Sequence, residues 1–295
     1  MAAKSPAMQR SVLVTGASSG IGLATAEMLA AAGFRVFAGV RKLPPAPPTE
    51  NLRPILLDVT SSDSIAAARR EIESHLDGAG LFALVNNAGI ADTRPLEFTP
   101  LEKFRAVLEV DLFGVVAVTQ AFLPLIHKAR GRIVNIGSVG GMITIPFGAS
   151  LCASKHAIEA ISDALRLELH PAGIFVTLIQ PASINSGSAE KLAAAVEPTI
   201  AKLPPEGQRR YGELLRRFMR ATLAEETAGS APEVVAAGVL AALRAKRPPI
   251  RRLAGKRGHL LAFLARRVPD RWRDALLRRL LLGNPAFGSM PARIK

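Results

Sequence analysis

Val12-Leu13-Val14-Thr15-Gly16-Ala17-Ser18-Ser19-Gly20-Ile21-Gly22 decides the fold. A short apolar run passes into a glycine turn, and a helical pattern follows from Leu23 to Ala32. Strand, glycine turn and helix in that order give the glycines a purpose. Gly16 allows the tight turn, Gly20 lets the backbone approach a pyrophosphate, and Gly22 permits close helix packing. The first N–H groups of the helix then face a phosphate. Ser18, Ser19 and Ile21 lie within the same turn.

Outward from this turn, strand and helix patterns alternate. Strands are expected at Phe34–Val40, Ile55–Leu57, Leu81–Val85, Arg132–Ile136 and Ile174–Ile179. Helices are expected after Ser61 or Ser62 to about Leu76, over Leu101–Lys128 and over Ala149–His170, with Pro44 to Pro48 as a stiff connector. Such alternation with short links predicts an α/β, doubly wound parallel sheet. At the end of the second strand Arg41-Lys42 stand where an acid would suit a free ribose 2′-hydroxyl. That favours NADP(H) over NAD(H).

The 295 residues suffice for one such domain with extensions. No uninterrupted apolar run of about 18 residues is read, and Met1 to Arg10 does not read as a secretory signal. One cysteine, Cys152, excludes a disulfide framework and a cysteine metal cluster; no metal site is expected and a reducing, cytoplasmic setting is. The net charge of +14 is concentrated: residues 246–295 hold 14 Lys/Arg against Asp270 and Asp274, a net +12. The excess therefore concerns what the tail touches. Two basic amphipathic helices, Leu260–Ala265 and Ala275–Leu282, suit packing on the body or on a second subunit with arginines outward, or contact with an anionic membrane surface. Nucleic acid is not an expected partner.

Thr15 to Gly22, Asp58-Val59, Asn86-Asn87-Ala88-Gly89, Ser138, Lys155 and Pro181 to Ser186 together resemble the short-chain dehydrogenase/reductase family, in order and spacing, from about residue 10 to 250. The resemblance implies a Rossmann-type domain of about seven strands over residues 1–255, with Ile250–Leu253 as the last strand. A substrate lid would span about 186–230, and a basic helical tail residues 256–295. It implies that Asp58 and Val59 meet the adenine, and that Asn86, Ala88 and Gly89 line the adenosine and ribose. Lys155 would hold the nicotinamide ribose; Pro181, Ile184 and Ser186 would border the nicotinamide. It also implies a homodimer or homotetramer.

The family uses Asn, Ser, Tyr and Lys together; here those positions read Asp111, Ser138, Leu151 and Lys155. Leu151 cannot move a proton. Asp111 can pair with Lys155, act as a base, orient a cationic substrate, or only replace a structural asparagine. Ser138 can still polarise a substrate oxygen, and Leu151 makes that wall of the pocket apolar. Tyr211, the one tyrosine, either folds over the site or packs on lid leucines. Leu192, Ala193, Val196, Leu214, Leu215, Phe218 and Met219 read equally as pocket wall or as helix packing.

Three functions follow. The first is an NADP(H)-binding oxidoreductase acting on an apolar carbonyl, imine or conjugated substrate with an atypical proton donor. The second is a non-redox enzyme on the same fold, such as a cyclase, dehydratase or isomerase. The third is a non-catalytic cofactor-binding or scaffold protein.

Overall fold

A computed structural model describes residues 9–45 and 49–285. Its centre is β1 (Ser11–Thr15), buried at every residue. It pairs in parallel with β2 (Arg35–Val40) on one side and β4 (Ala83–Asn86) on the other. β3 (Leu52–Leu56), β5 (Arg132–Ile136), β6 (Phe175–Pro181) and β7 (Arg251–Ala254) complete a seven-stranded sheet of order β3-β2-β1-β4-β5-β6-β7. All pairings are parallel. A strand covered on both faces carries apolar residues without alternation, which is why Val12, Leu13 and Val14 run together. The order reverses between β1 and β4, and the cleft opens at that switch point.

Two cores flank the sheet. On one face Val12, Val14, Leu29, Val235 and Val239 pack around α1 (Gly20–Ala31) and a later helix (Glu233–Arg244). On the other, Leu13, Phe37, Ile72, Phe122 and Ile126 join α2 (Ser62–Ser74) to the long helical run after Pro100. Ser61 caps α2, its hydroxyl accepting the Ser64 N–H at 3.2 Å.

That long run has three parts: α3 (Leu101–Leu108), a π-helical turn (Glu109–Phe113) and α4 (Gly114–Ala129). By length and composition residues Leu101–Ala129 would cross a membrane. Here Val107, Val118, Phe122, Leu125 and Ile126 are buried in the domain, so the run is a core layer of the fold. The widened turn re-aims one residue, Asp111.

α5 (Ala149–Leu169) follows β5. α6 (Ser188–Ala194), α7 (Val196–Ala201) and α8 (Pro205–Thr227) make up the segment expected as a lid, and α9 is the helix Glu233–Arg244. α10 (Gly258–Arg267) and α11 (Asp270–Leu277), with a π turn at Arg278–Leu282, form the tail. Leu281 and Leu282 pack against the lid cluster of Val196, Ile200, Leu215, Phe218 and Met219.

Element boundaries differ in places from the sequence expectations. β3 spans Leu52–Leu56 rather than Ile55–Leu57 and contains Pro54. An edge strand tolerates a residue without an N–H, and β3 is that edge. β4 starts at Ala83 rather than Leu81, and β6 runs on to Pro181. Of the Pro44 to Pro48 connector, residues 46–48 lie outside the described residues, as do residues 286–295 of the tail.

Candidate active site

The carboxyl ends of the strands surround a cleft of about 660 Å³. Gly16 to Gly22 follow β1, Arg41 follows β2, Asp58 and Val59 follow β3, and Ala88 and Gly89 follow β4. Ser138 follows β5; Pro181, Ile184 and Ser186 come from the end of β6 and the segment after it.

The glycine turn is locked from two sides. Thr15 Oγ1 accepts the Asn87 and Ala88 N–H groups at 3.0 Å each. The Asn87 side-chain amide donates to the Thr15 and Gly16 carbonyls at 2.9 and 3.1 Å. Gly16 holds φ +64°, and a Cβ there would stand 2.7 Å from Ala88 Cα. A Cβ on Gly22 would meet Gly16 O at 2.2 Å and Asn87 Nδ2 at 2.4 Å. Both positions therefore demand glycine. Gly20, at φ +55°, opens α1 opposite Ser186, with no acid in the first turn and no side-chain cap on its N-terminus. A cradle a Cβ would narrow, at a bare helix N-terminus, fits a pyrophosphate.

Arg41 is exposed on the cleft rim. Asp58 Oδ1 accepts the Thr60 N–H and hydroxyl at 2.9 and 2.7 Å. Those bonds, with the Arg41 charge, hold its carboxyl below the usual value of 3.8. Nicotinamide dinucleotide therefore fits these residues.

Asn86 differs from its expected place. Its side chain is buried, donating to Thr119 Oγ1 at 3.0 Å and Asn135 Oδ1 at 2.9 Å. The residue that lines the cleft is Asn87. Successive residues at a strand end point to opposite sides, so one of the two asparagines must turn inward.

Inside the cleft, Lys155 Nζ lies 3.2 Å from Asp111 Oδ2. The Asp111 side chain is 1% exposed and that of Lys155 11%. Asp111 Oδ1 accepts the Ile90 N–H at 2.7 Å. The Ser154 hydroxyl donates its one proton to the Leu151 carbonyl at 2.8 Å and lies 3.4 Å from Asp111 Oδ2. Lys155 also donates to the Ile136 carbonyl at 3.4 Å. The buried carboxylate is held by an ammonium on Oδ2 and a backbone N–H on Oδ1. Asp111 thus ties the loop after β4 to α5.

Leu151 and Lys155, one turn apart on α5, both line the cleft with Ser138. Ser138 Oγ accepts the Gly140 N–H at 2.9 Å. That leaves the hydroxyl proton to donate. Cys152 is buried and burial pushes its thiol up, while His156 is exposed on another face.

Tyr211 is not among the residues around the cleft. Its hydroxyl donates to Glu97 at 2.7 Å, and its ring meets Phe98 and Phe147 edge-on. It packs on phenylalanines rather than the expected leucines. Burial, then Glu97, raises its pKa above 10.0, which weakens it as an acid. Of the lid residues read as pocket wall, only Leu192 borders the cleft; Val196, Leu215, Phe218 and Met219 form the lid's own core. Sequence reasoning missed the lid contributions of Ser188, Lys191 and Glu226, because their placement depends on how α6 and α8 fold back.

Comparison with known proteins agrees with this fold. Residues 10–197 match the family described as short chain dehydrogenase. A mitochondrial D-beta-hydroxybutyrate dehydrogenase of Bos taurus is 37% identical over 224 residues, 70% of this chain. The chain spans 65% of that relative's length. A 3-ketodihydrosphingosine reductase of Bacteroides thetaiotaomicron is 36% identical over 83% of this chain and 87% of its own. A short chain dehydrogenase of Burkholderia cenocepacia, solved in complex with NADP, superposes with a TM-score of 0.69 at 27% identity. That match covers 92% of this chain and 98% of the other. The chain belongs to the short-chain dehydrogenase family of oxidoreductases.

Proposed function

We propose that the protein is an NADP(H)-dependent oxidoreductase of apolar carbonyl, imine or conjugated substrates, working without the family's tyrosine acid. The observation that carries this reading is the Lys155–Asp111 pair at 3.2 Å in one cleft with Ser138 and Leu151.

The glycine turn and the N-terminus of α1 would hold the pyrophosphate, and Arg41 a ribose 2′-phosphate. Lys155, fixed by Asp111 and the Ile136 carbonyl, would hold the nicotinamide ribose. Asp111 is the positioning group for Lys155, not an open base. The bound cofactor supplies or accepts hydride. Ser138 donates its hydroxyl proton as a hydrogen bond to a carbonyl oxygen, or turns its oxygen toward an iminium, whose nitrogen has no lone pair to accept one. Leu151 excludes water from that wall. No side chain stands at the leucine position to protonate a nascent alkoxide. Hydride addition to an iminium carbon yields a neutral amine and needs no such proton. A conjugated carbonyl takes its proton at carbon, from water. Both suit a site with leucine here better than a simple ketone does.

The name of the Bacteroides relative, a 3-ketodihydrosphingosine reductase, supports an apolar substrate. The NADP-bound Burkholderia structure supports the choice of cofactor. Exposed Leu101, Phe113 and Leu167 on α3, the π turn and α5 support a homodimer or homotetramer through these helices. A reducing, cytoplasmic setting agrees with the single buried thiol.

The test is NADPH binding followed by consumption against matched ketone, iminium and enone substrates. Turnover of iminium or enone ahead of ketone is expected. Tight NADPH binding with no consumption by any of them would remove the redox reading. Leu151 favours one alternative, a non-redox isomerase, cyclase or dehydratase, which would form product with NADP(H) left out.

A further inference from the structure

The tail carries an apolar surface with no cover among the described residues. Leu260 and Phe263 stand three apart on α10, and Trp272 and Leu276 four apart on α11, so each pair shares a helix face. Leu280 continues the second stripe through the terminal π turn. Phe263 is 57% exposed and Trp272 76%. Apolar groups of this size seldom stand in water without a partner.

The charge around these stripes is of one sign. Among the described residues, only Arg273 of the six arginines between 266 and 279 pairs with an acid, Asp270 at 2.7 Å. Arg267, Arg271 and Arg279 are exposed beside the apolar residues. The opposite side of the tail is occupied: Ala262 is buried, and Leu281 and Leu282 join the lid cluster with Ile145, Phe147 and Leu192. The exposed face is therefore held outward by packing rather than fraying from the body.

We propose that α10 and α11 dock the protein peripherally on a membrane surface containing anionic lipid. Trp272, Phe263 and Leu260 would enter the interfacial region, with the arginines at the headgroups. Exposed aromatic and leucine side chains ringed by unpaired arginines match both parts of such a surface. A second copy of the chain is the poorer partner, because a two-fold contact would set one strongly basic face against another. The docking stands independently of the reaction. Its geometric consequence is that the lid, sharing a core with Leu281 and Leu282, lies beside the bilayer.

Trp272 is the one tryptophan of the chain, so intrinsic fluorescence reports on this surface alone. The full-length protein is mixed with vesicles of phosphatidylcholine, or of phosphatidylcholine with phosphatidylserine, and followed by emission and by co-sedimentation. A blue shift and sedimentation with the anionic vesicles, weakened by salt, are expected. The variant Arg267→Glu/Arg271→Glu, shown folded by circular dichroism and NADPH binding, should bind at least tenfold more weakly, as each basic residue near such a surface contributes about fivefold. Phe263→Ser, read by sedimentation, should also lose binding. The proposal is overturned by absence of both signals with anionic vesicles. It is equally overturned by a blue shift that grows with protein concentration and ignores vesicles, which would assign the face to self-association.

Discussion

Asp111 and Lys155 form a buried ion pair at 3.2 Å, reached from two different helices. The π turn at Glu109–Phe113 brings Asp111 in, and α5 brings Lys155. One turn before Lys155 stands Leu151, where the resemblance to the family leads one to expect a tyrosine. The lysine therefore has a carboxylate for a neighbour and no phenol to act on.

Breaking the pair should be costly. Removing one partner of a buried ion pair leaves an uncompensated charge, at about 3–5 kcal/mol. Asp111→Leu also strips the acceptor from the Ile90 N–H. Asp111→Asn keeps that acceptor and the side chain's size, so its loss should be smaller. Urea denaturation of both variants checks this; equal stability of Asp111→Leu and wild type would contradict it.

Gly22→Ala should disable the cofactor turn. The new Cβ would overlap Gly16 O and Asn87 Nδ2, both backbone-locked or hydrogen-bonded. Overpacking of this kind costs about 1–3 kcal/mol. NADPH titration by fluorescence should show affinity falling by at least about tenfold, the change 1.4 kcal/mol brings.

Arg41→Glu should reverse the choice of cofactor. A charge-assisted hydrogen bond to a 2′-phosphate contributes about 1.5–3 kcal/mol. NADPH affinity should fall by about tenfold or more, with NADH affinity kept. Equal losses for both dinucleotides would mean that Arg41 reads no phosphate.

Acid should loosen the attachment of β7 to α5. Arg251 bridges Glu159 at 2.9 Å and Asp163 at 2.7 Å. The hydrogen bond from Arg251 is the largest cause holding the Asp163 carboxyl below 3.8, and the one from Arg166 adds to it. A depressed carboxylate stabilises the fold fully above its unfolded value and loses that contribution as pH falls through the folded value. The stability difference between wild type and Asp163→Asn should therefore be constant above about pH 5 and shrink below 3.8. Melting temperatures across this range provide the check.

The sheet and the glycine turn were legible because their signals are local. Val12 to Gly22 carry strand, turn and helix within eleven residues. Ser138, Leu151 and Lys155 were found through the resemblance to the family, and the four-residue step sets the last two on one helix face. Asp111 was legible as a residue but not as one held on both oxygens, since its partners come from the loop after β4 and from α5. The inward turn of Asn86 was hidden because two adjacent asparagines are equivalent until strand register is known. Tyr211 meets Glu97 and Phe98 from more than a hundred residues away, a contact no local pattern encodes.

The most direct measurement of the central claim is ketone reduction with NADPH by Leu151→Tyr beside wild type, at matched cofactor saturation. A positioned general acid contributes about 10²–10⁴ in rate. The account predicts a gain of at least about 10², as the new phenol joins Ser138 and Lys155. No gain in a folded variant that still binds NADPH would contradict it, because the site would then not be a dehydrogenase site lacking only its acid.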